Sequence, residues 1–162
     1  MDHLNRHRGC LLGLATGDAL GTTLEFQSPG TFEPIHDMMG GGPFGLAPGQ
    51  WTDDTSMALC LAESLLKCDG FDAADQMRRY VRWYRRGYLS STGKCFDIGT
   101  TCRAALEQFE ETDEPFAGST DPQSAGNGSI MRLAPVAMRW AADLPAAVEM
   151  AARSSQTTHG TA

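Results

Sequence analysis

The sequence predicts an all-α fold. It reads as six helical segments, the connections between them are rich in glycine, and no segment alternates apolar and polar residues as a half-buried strand does. The first helix is expected over 4–20, where Leu4, Leu11, Leu12, Leu14, Ala15 and Leu20 fall mostly at helical spacing. Gly9, Gly13 and Gly17 recur every four residues there, forming a small-residue stripe that another helix or a ligand could approach closely. Residues 28–50 are crowded with Gly and Pro and read as a long loop, a kind of segment that often carries function. A second helix over 53–68 lines up Met57, Leu61, Leu65 and Cys68 on its apolar side. A third, over 72–86, turns Met77, Tyr80, Val81 and Tyr84 inward and Arg78, Arg79, Arg82, Arg85 and Arg86 toward solvent. A fourth is expected over 98–110. After a loop over 118–128 come a fifth over 129–142, containing Pro135, and a sixth over 144–154 capped by Asp143.

The 162 residues are 41% hydrophobic, enough for one substantial core and too apolar for a disordered chain. Lys and Arg number 13 against 20 Asp and Glu, a net charge of -7, which argues against a general nucleic-acid or polybasic membrane binder. No apolar run approaches the ~20 residues of a membrane helix. The six-residue apolar run from Cys10 to Ala15 is followed by Asp18, so no export signal is read and a cytoplasmic protein is the default expectation. Cys10, Cys60, Cys68, Cys95 and Cys102 are odd in number and lack a C-x-x-C, so reduced and mostly buried thiols are expected. His3 and His7 stand i, i+4 but without the glutamate of a zinc-protease helix, and read as surface residues.

Five constellations carry chemical information. Trp51-Thr52-Asp53-Asp54-Thr55 opens an apolar helix directly after the Gly/Pro loop. Thr52 or Asp53 would cap that helix, with both acids at the positive end of its dipole. The same Thr hydroxyl and carboxylates are also hard oxygen ligands of the kind magnesium takes. Neighbouring helix residues splay by ~100°, so two adjacent acids suit a two-metal site better than a single-ion cage. In Gly17-Asp18-Ala19-Leu20-Gly21, followed by Glu25, Asp18 near a helix end opposes the dipole and needs a cation, a donor network or a metal. Asp97, in Asp-Ile-Gly-Thr-Thr, is either the cap of the fourth helix or a site acid. Gly126-Asn127-Gly128-Ser129 through Met131-Arg132 gives a tight turn with exposed backbone N–H groups, suited to a phosphate or sugar diphosphate and open equally to being a plain turn. In Thr157-Thr158-His159, the histidine is a ligand contact or a surface residue.

In this order the motifs resemble the ADP-ribosylglycohydrolase family, over essentially the whole chain from Arg8 onward. The resemblance implies a compact orthogonal all-α bundle that hydrolyses an N- or O-glycosidic bond at the anomeric carbon of ADP-ribose. It implies two Mg2+ ions (or Mn2+) in the cleft, with Thr52, Asp53 and Asp54 as metal ligands. Glu25, Asp53, Asp54 and Asp97 become the candidate catalytic acids. Asp18, Gly126, Asn127, Gly128, Ser129, Met131 and His159 become the candidate substrate contacts. The partner would be an ADP-ribosylated protein or a small-molecule substrate. An inactive relative that binds ADP-ribose without turnover is the alternative.

One departure stands out. The family carries a second acidic metal motif of the form D-T-D-T, and nothing after Thr55 matches it; Asp113, Glu114, Asp121 and Asp143 lack the pattern. The expectation is therefore that residues 1–162 are the N-terminal portion of one such domain. A further C-terminal segment or separate chain would complete it, and without that the two-metal site, and with it the activity, of this chain would be incomplete.

Overall fold

The second helix is the centre of the structure, a computed structural model that describes residues 2–161. Helix α1 (His3–Gly21) and α2 (Asp53–Lys67) are joined by the long loop; α3 (Ala73–Arg86), α4 (Thr100–Thr112), α5 (Ala134–Arg139) and α6 (Leu144–Gln156) follow. Among the described residues there is no strand, only isolated bridges between Gly41 and Leu46 and between Ser119 and His159. No helix among them is long and apolar enough to cross a membrane.

Helix α2 packs against α1, α3 and α5, and α4 covers α3. The core forms where Met57, Leu61 and Leu65 of α2 meet Met77, Tyr80 and Trp83 of α3, Leu106 and Phe109 of α4, and Val136 of α5. Local signals set the ends of α3. The Asp72 carboxylate accepts the Asp75 N–H at 2.8 Å, and Gly87 ends the helix at φ +63, its N–H bonded to the Trp83 carbonyl. The predicted Asp143 cap of α6 forms too, accepting from Ala146 N at 3.1 Å.

Several expectations change. The fifth helix covers only Ala134–Arg139, with turns from Gly128 to Arg132 ahead of it. Proline has no N–H to donate, so Pro135 is tolerated only in the first turn, where that donor has no partner, and the helix starts one residue before it. Helix α4 begins at Thr100 after a Gly99 cap, so Asp97 does not cap it. Trp83 is buried, whereas Tyr84 reaches the surface and donates to Glu107 at 2.6 Å. Arg79 is largely covered, paired with Glu63 and Asp75 at 2.6 Å each. Of the five free thiols only Cys60 and Cys102 are buried; Cys10 and Cys68 are exposed. A side chain at Gly9, Gly13 or Gly17 would meet nothing within 4 Å, so no helix uses that stripe for close packing.

One crossing positions the site. Gly118 N–H donates to the Gln156 carbonyl and Gly160 N–H to the Ser119 carbonyl, each at 3.1 Å. A Cβ on Gly118 would lie 2.6 Å from the backbone nitrogens of His159 and Gly160. The two segments therefore touch backbone to backbone, which brings the residues after α6 beside the loop that follows α4.

Candidate functional site

The site begins at the N-terminus of α2, whose first backbone N–H groups have no partner within the helix. Asp18, on the last turn of α1, supplies one. Its carboxylate accepts from Thr52 N at 3.0 Å and Thr55 N at 3.0 Å, and from the Thr52 and Thr55 hydroxyls at 2.8 and 2.7 Å. Thr52 holds the cap position but makes no cap bond through its own side chain. Asp18, expected to touch substrate, engages both oxygens in this donor network, the compensating partner its place on α1 demanded, and it also lines the first cleft described below. The cap crosses from one helix to another, and it fixes Asp53 and Asp54 on the turn that follows.

Two clefts open around that turn. The first, of about 490 Å³, is lined by Gly13, Gly17, Asp18, Thr52, Asp54 and Glu25, among others. The second, of about 600 Å³, takes in Asp53, Asp54, Gly126, Asn127, Gly128, Met131 and His159. Glu25, Asp54 and Asp97 line both and form the junction. Asp53 reaches only the second cleft, as the splay of successive helix residues requires. Asp97 sits at φ +59, a left-handed conformation costly for a residue with a side chain. Neither cleft is lined by a lysine or arginine among the described residues.

That imbalance raises the acids. Burial, then the charges of Asp97 and Asp54, push Asp53 up to about 8. Burial, then Glu25 and Asp54, push Asp97 up to about 7. Asp54 and Glu25 also lie above the ordinary carboxylate range, chiefly through burial, which a bond from the Thr22 hydroxyl partly offsets at Glu25. Crowded carboxylates without a basic partner fit a hard cation by donor kind. By number they fall short: among the described residues, no three His, Cys, Asp or Glu side chains are grouped to hold one ion.

The opposite wall of the second cleft has a different character. The Gly126–Gly128 turn lies against His159; a Cβ at Gly128 would sit 3.1 Å from both Cys102 Sγ and His159 Cε1. His159 is 6% exposed, and burial, then the charge of Arg132, lowers it to about 4, so the ring is neutral. Behind it Arg132 is fully buried, donating through Nη2 to the Ser154 carbonyl at 3.1 Å and the Thr158 hydroxyl at 2.7 Å, with its guanidinium 4.7 Å from the Tyr80 ring centre.

The predicted residues thus converge on the second cleft, apart from three. Asp18 and Thr52 line the first cleft only, as the cap of α2, and Ser129 lines neither. Sequence reasoning passed over Phe26, exposed at φ +63 on the rim, whose ring starts a row with Phe44 at 6.5 Å and Phe96 at 5.3 Å from Phe44. It also passed over Thr101 and Cys102 on the floor. No local pattern marks these, because the row joins residues far apart in the chain.

A family model described as ADP-ribosylglycohydrolase matches residues 1–162. The chain is 51% identical over 156 residues to ADP-ribosylarginine hydrolase Tri1 of Pseudomonas putida (strain GB-1), covering 96% of this chain and 42% of that protein. It is 38% identical over 138 residues to ADP-ribosyl-[dinitrogen reductase] glycohydrolase of Rhodospirillum rubrum, covering 83% and 44%. A solved structure titled ADP-ribosylglycohydrolase-related protein complex superposes with a TM-score of 0.84 at 47% identity, covering 98% of this chain and 50% of that one. The chain therefore spans less than half the length of these two curated relatives.

Proposed function

The chain belongs to the ADP-ribosylglycohydrolase family, and from that premise we propose that the protein carrying it hydrolyses the bond between ADP-ribose and an arginine side chain of a modified protein. The arginine acceptor is supported by the names of relatives at 51% and 52% identity. The observation that carries the reading is the junction of Glu25, Asp54 and Asp97, shared by two clefts and facing the Gly126–Gly128 turn. Cleavage at an anomeric carbon needs a carboxyl near the leaving group and an activated water nearby. This junction supplies the carboxyls, and the turn supplies backbone donors for a diphosphate.

Thr52, Asp53 and Asp54 would hold Mg2+, with the remaining ligands coming from a further segment or a second chain that completes the domain. When bound, such ions supply Lewis acidity and neutralise the crowded acids. Asp97, pushed up to about 7, can hold or give up a proton near neutrality. The turn and His159 orient the nucleotide portion, so binding energy distant from the reacting carbon positions it.

The test is release of ADP-ribose from an ADP-ribosylated arginine substrate by the complete protein. Chelation of divalent metal abolishes release, and Asp53→Ala lowers it by roughly a thousandfold or more. Full activity in Asp53→Ala contradicts the assignment. Binding of ADP-ribose by calorimetry with no turnover at any metal concentration identifies the inactive relative instead.

A further inference from the structure

From the hydrogen bonds behind the second cleft we infer that Arg132 and Thr158 fix His159 as the tautomer protonated on Nε2, presenting an N–H donor into the cleft beside the Gly126–Gly128 turn. The argument is one of proton accounting. Arg132 has donors and no acceptor. Its Nη2 lies 2.7 Å from Thr158 Oγ1, so the threonine hydroxyl must accept there. That oxygen also lies 2.8 Å from His159 Nδ1. The hydroxyl has a single proton, the guanidinium cannot take it, and the neighbouring Cys102 thiol is a weak acceptor. The proton therefore points at Nδ1, which accepts. A neutral imidazole that accepts at Nδ1 carries its own proton on Nε2.

The ring is held neutral and oriented by its surroundings. It is buried to 6% exposure, and its backbone is tied down by its N–H to the Ser155 carbonyl at 2.8 Å and by the bridge to Ser119. Nε2 faces the turn: it would lie 3.4 Å from a Cβ at Gly126 and 3.3 Å from one at Gly128. Side chains at those two positions would close the space in front of the donor, and glycine leaves it open. Arg132 itself is held by the Ser154 carbonyl and the Thr157 hydroxyl, at 3.1 and 3.3 Å, so the relay starts from a fixed cation. Arg132 and Thr158 are positioning residues, and the donor they aim suits an oxygen acceptor, a phosphate or a ribose hydroxyl. The ligand half of this inference rests on the ADP-ribose reading of the cleft; the tautomer half does not.

Long-range 1H–15N correlation of the imidazole, recorded on the complete protein with selectively 15N-labelled histidine, reads the tautomer directly. The wild type and Thr158→Ser, which keeps the hydroxyl, should both show a proton-bearing Nε2 and a bare Nδ1. Thr158→Val should lose that fixed pattern, and its affinity for ADP-ribose should fall roughly tenfold while Thr158→Ser stays near wild type. A proton on Nδ1 in the wild type overturns the relay, and so does an unchanged tautomer in Thr158→Val. If Thr158→Val does not fold, the wild-type spectrum decides alone. A wild type with the expected tautomer that does not bind ADP-ribose overturns the ligand assignment and leaves the relay standing.

Discussion

The two walls of the second cleft are built on opposite electrostatic errors. The wall at the start of α2 gathers Asp53, Asp54, Asp97 and Glu25 with no basic side chain among them, so burial and the charges of neighbouring acids, Asp18 included, raise all four. The wall at the end of α6 buries Arg132 against carbonyl and hydroxyl oxygens, and among the described residues no carboxylate joins its hydrogen-bond set and Nε and Nη1 have no partner. Each surplus is costly alone. Under the proposed function the acid wall would take the cation-assisted reacting centre, and the other wall, through the His159 N–H that Arg132 helps to fix, an oxygen-rich anion. The lesson is that a cleft can be read from what each wall lacks.

The largest effect expected from breaking this contrast is on stability. Arg132→Ala removes the hub of the hydroxyl network and opens a cavity in the core, and should cost about 3–5 kcal/mol in urea unfolding. A loss below about 1 kcal/mol would mean the neutral wall does not depend on its buried cation. Next comes the bridge that holds up the acid wall. Asp18→Ala leaves the Thr52 and Thr55 N–H groups without their acceptor and should cost about 2–3 kcal/mol, with Asp18→Asn costing less.

The pH response is the most discriminating, because the walls have opposite pH dependence. Asp53 ionises near 3.8 when unfolded and near 8 when folded, so between those values the folded state holds the extra proton. Its contribution therefore weakens as pH rises from about 4 to 8. His159 moves the other way, from 6.5 to about 4, so the unfolded chain holds the extra proton and stability is lost as pH falls through that window. In thermal melts without metal, Asp53→Asn should flatten the decline between pH 6.5 and 8, where His159 no longer titrates, and His159→Gln should steepen the decline between pH 4 and 6.5, where the two oppose each other. Identical profiles in both variants would erase the distinction between the walls.

The acid wall was far more legible in the sequence than the neutral one. Helices α1, α2 and α3 announce themselves by apolar spacing, and the structure closes α3 with Asp72 and Gly87. Thr52-Asp53-Asp54 reads as a site because carboxylates at a helix start have a short list of uses. The roles of Asp18 and Asp97 were half visible. The need for a partner follows from the dipole, but not that the partner is the start of α2, 34 residues away. Nor does any local rule predict the left-handed turn at Asp97. The Arg132–Thr158–His159 relay was invisible, since it depends on a crossing of Gly118 and Gly160 that only the folded backbone creates. Pro135 marks the start of the fifth helix, which covers Ala134–Arg139 and not the whole of 129–142.

Under the proposed function, the acid wall holds a proton at the place where Mg2+ would bind. Calorimetric titration of Mg2+ into the complete protein at pH 7, in two buffers of different ionisation enthalpy, tests it directly. With Asp53 near 8 and Asp97 near 7 before binding, cation binding must expel protons. The apparent heat should then differ between buffers, and the difference should shrink in Asp53→Asn. Equal heats in both buffers, with Mg2+ binding intact, would contradict the account.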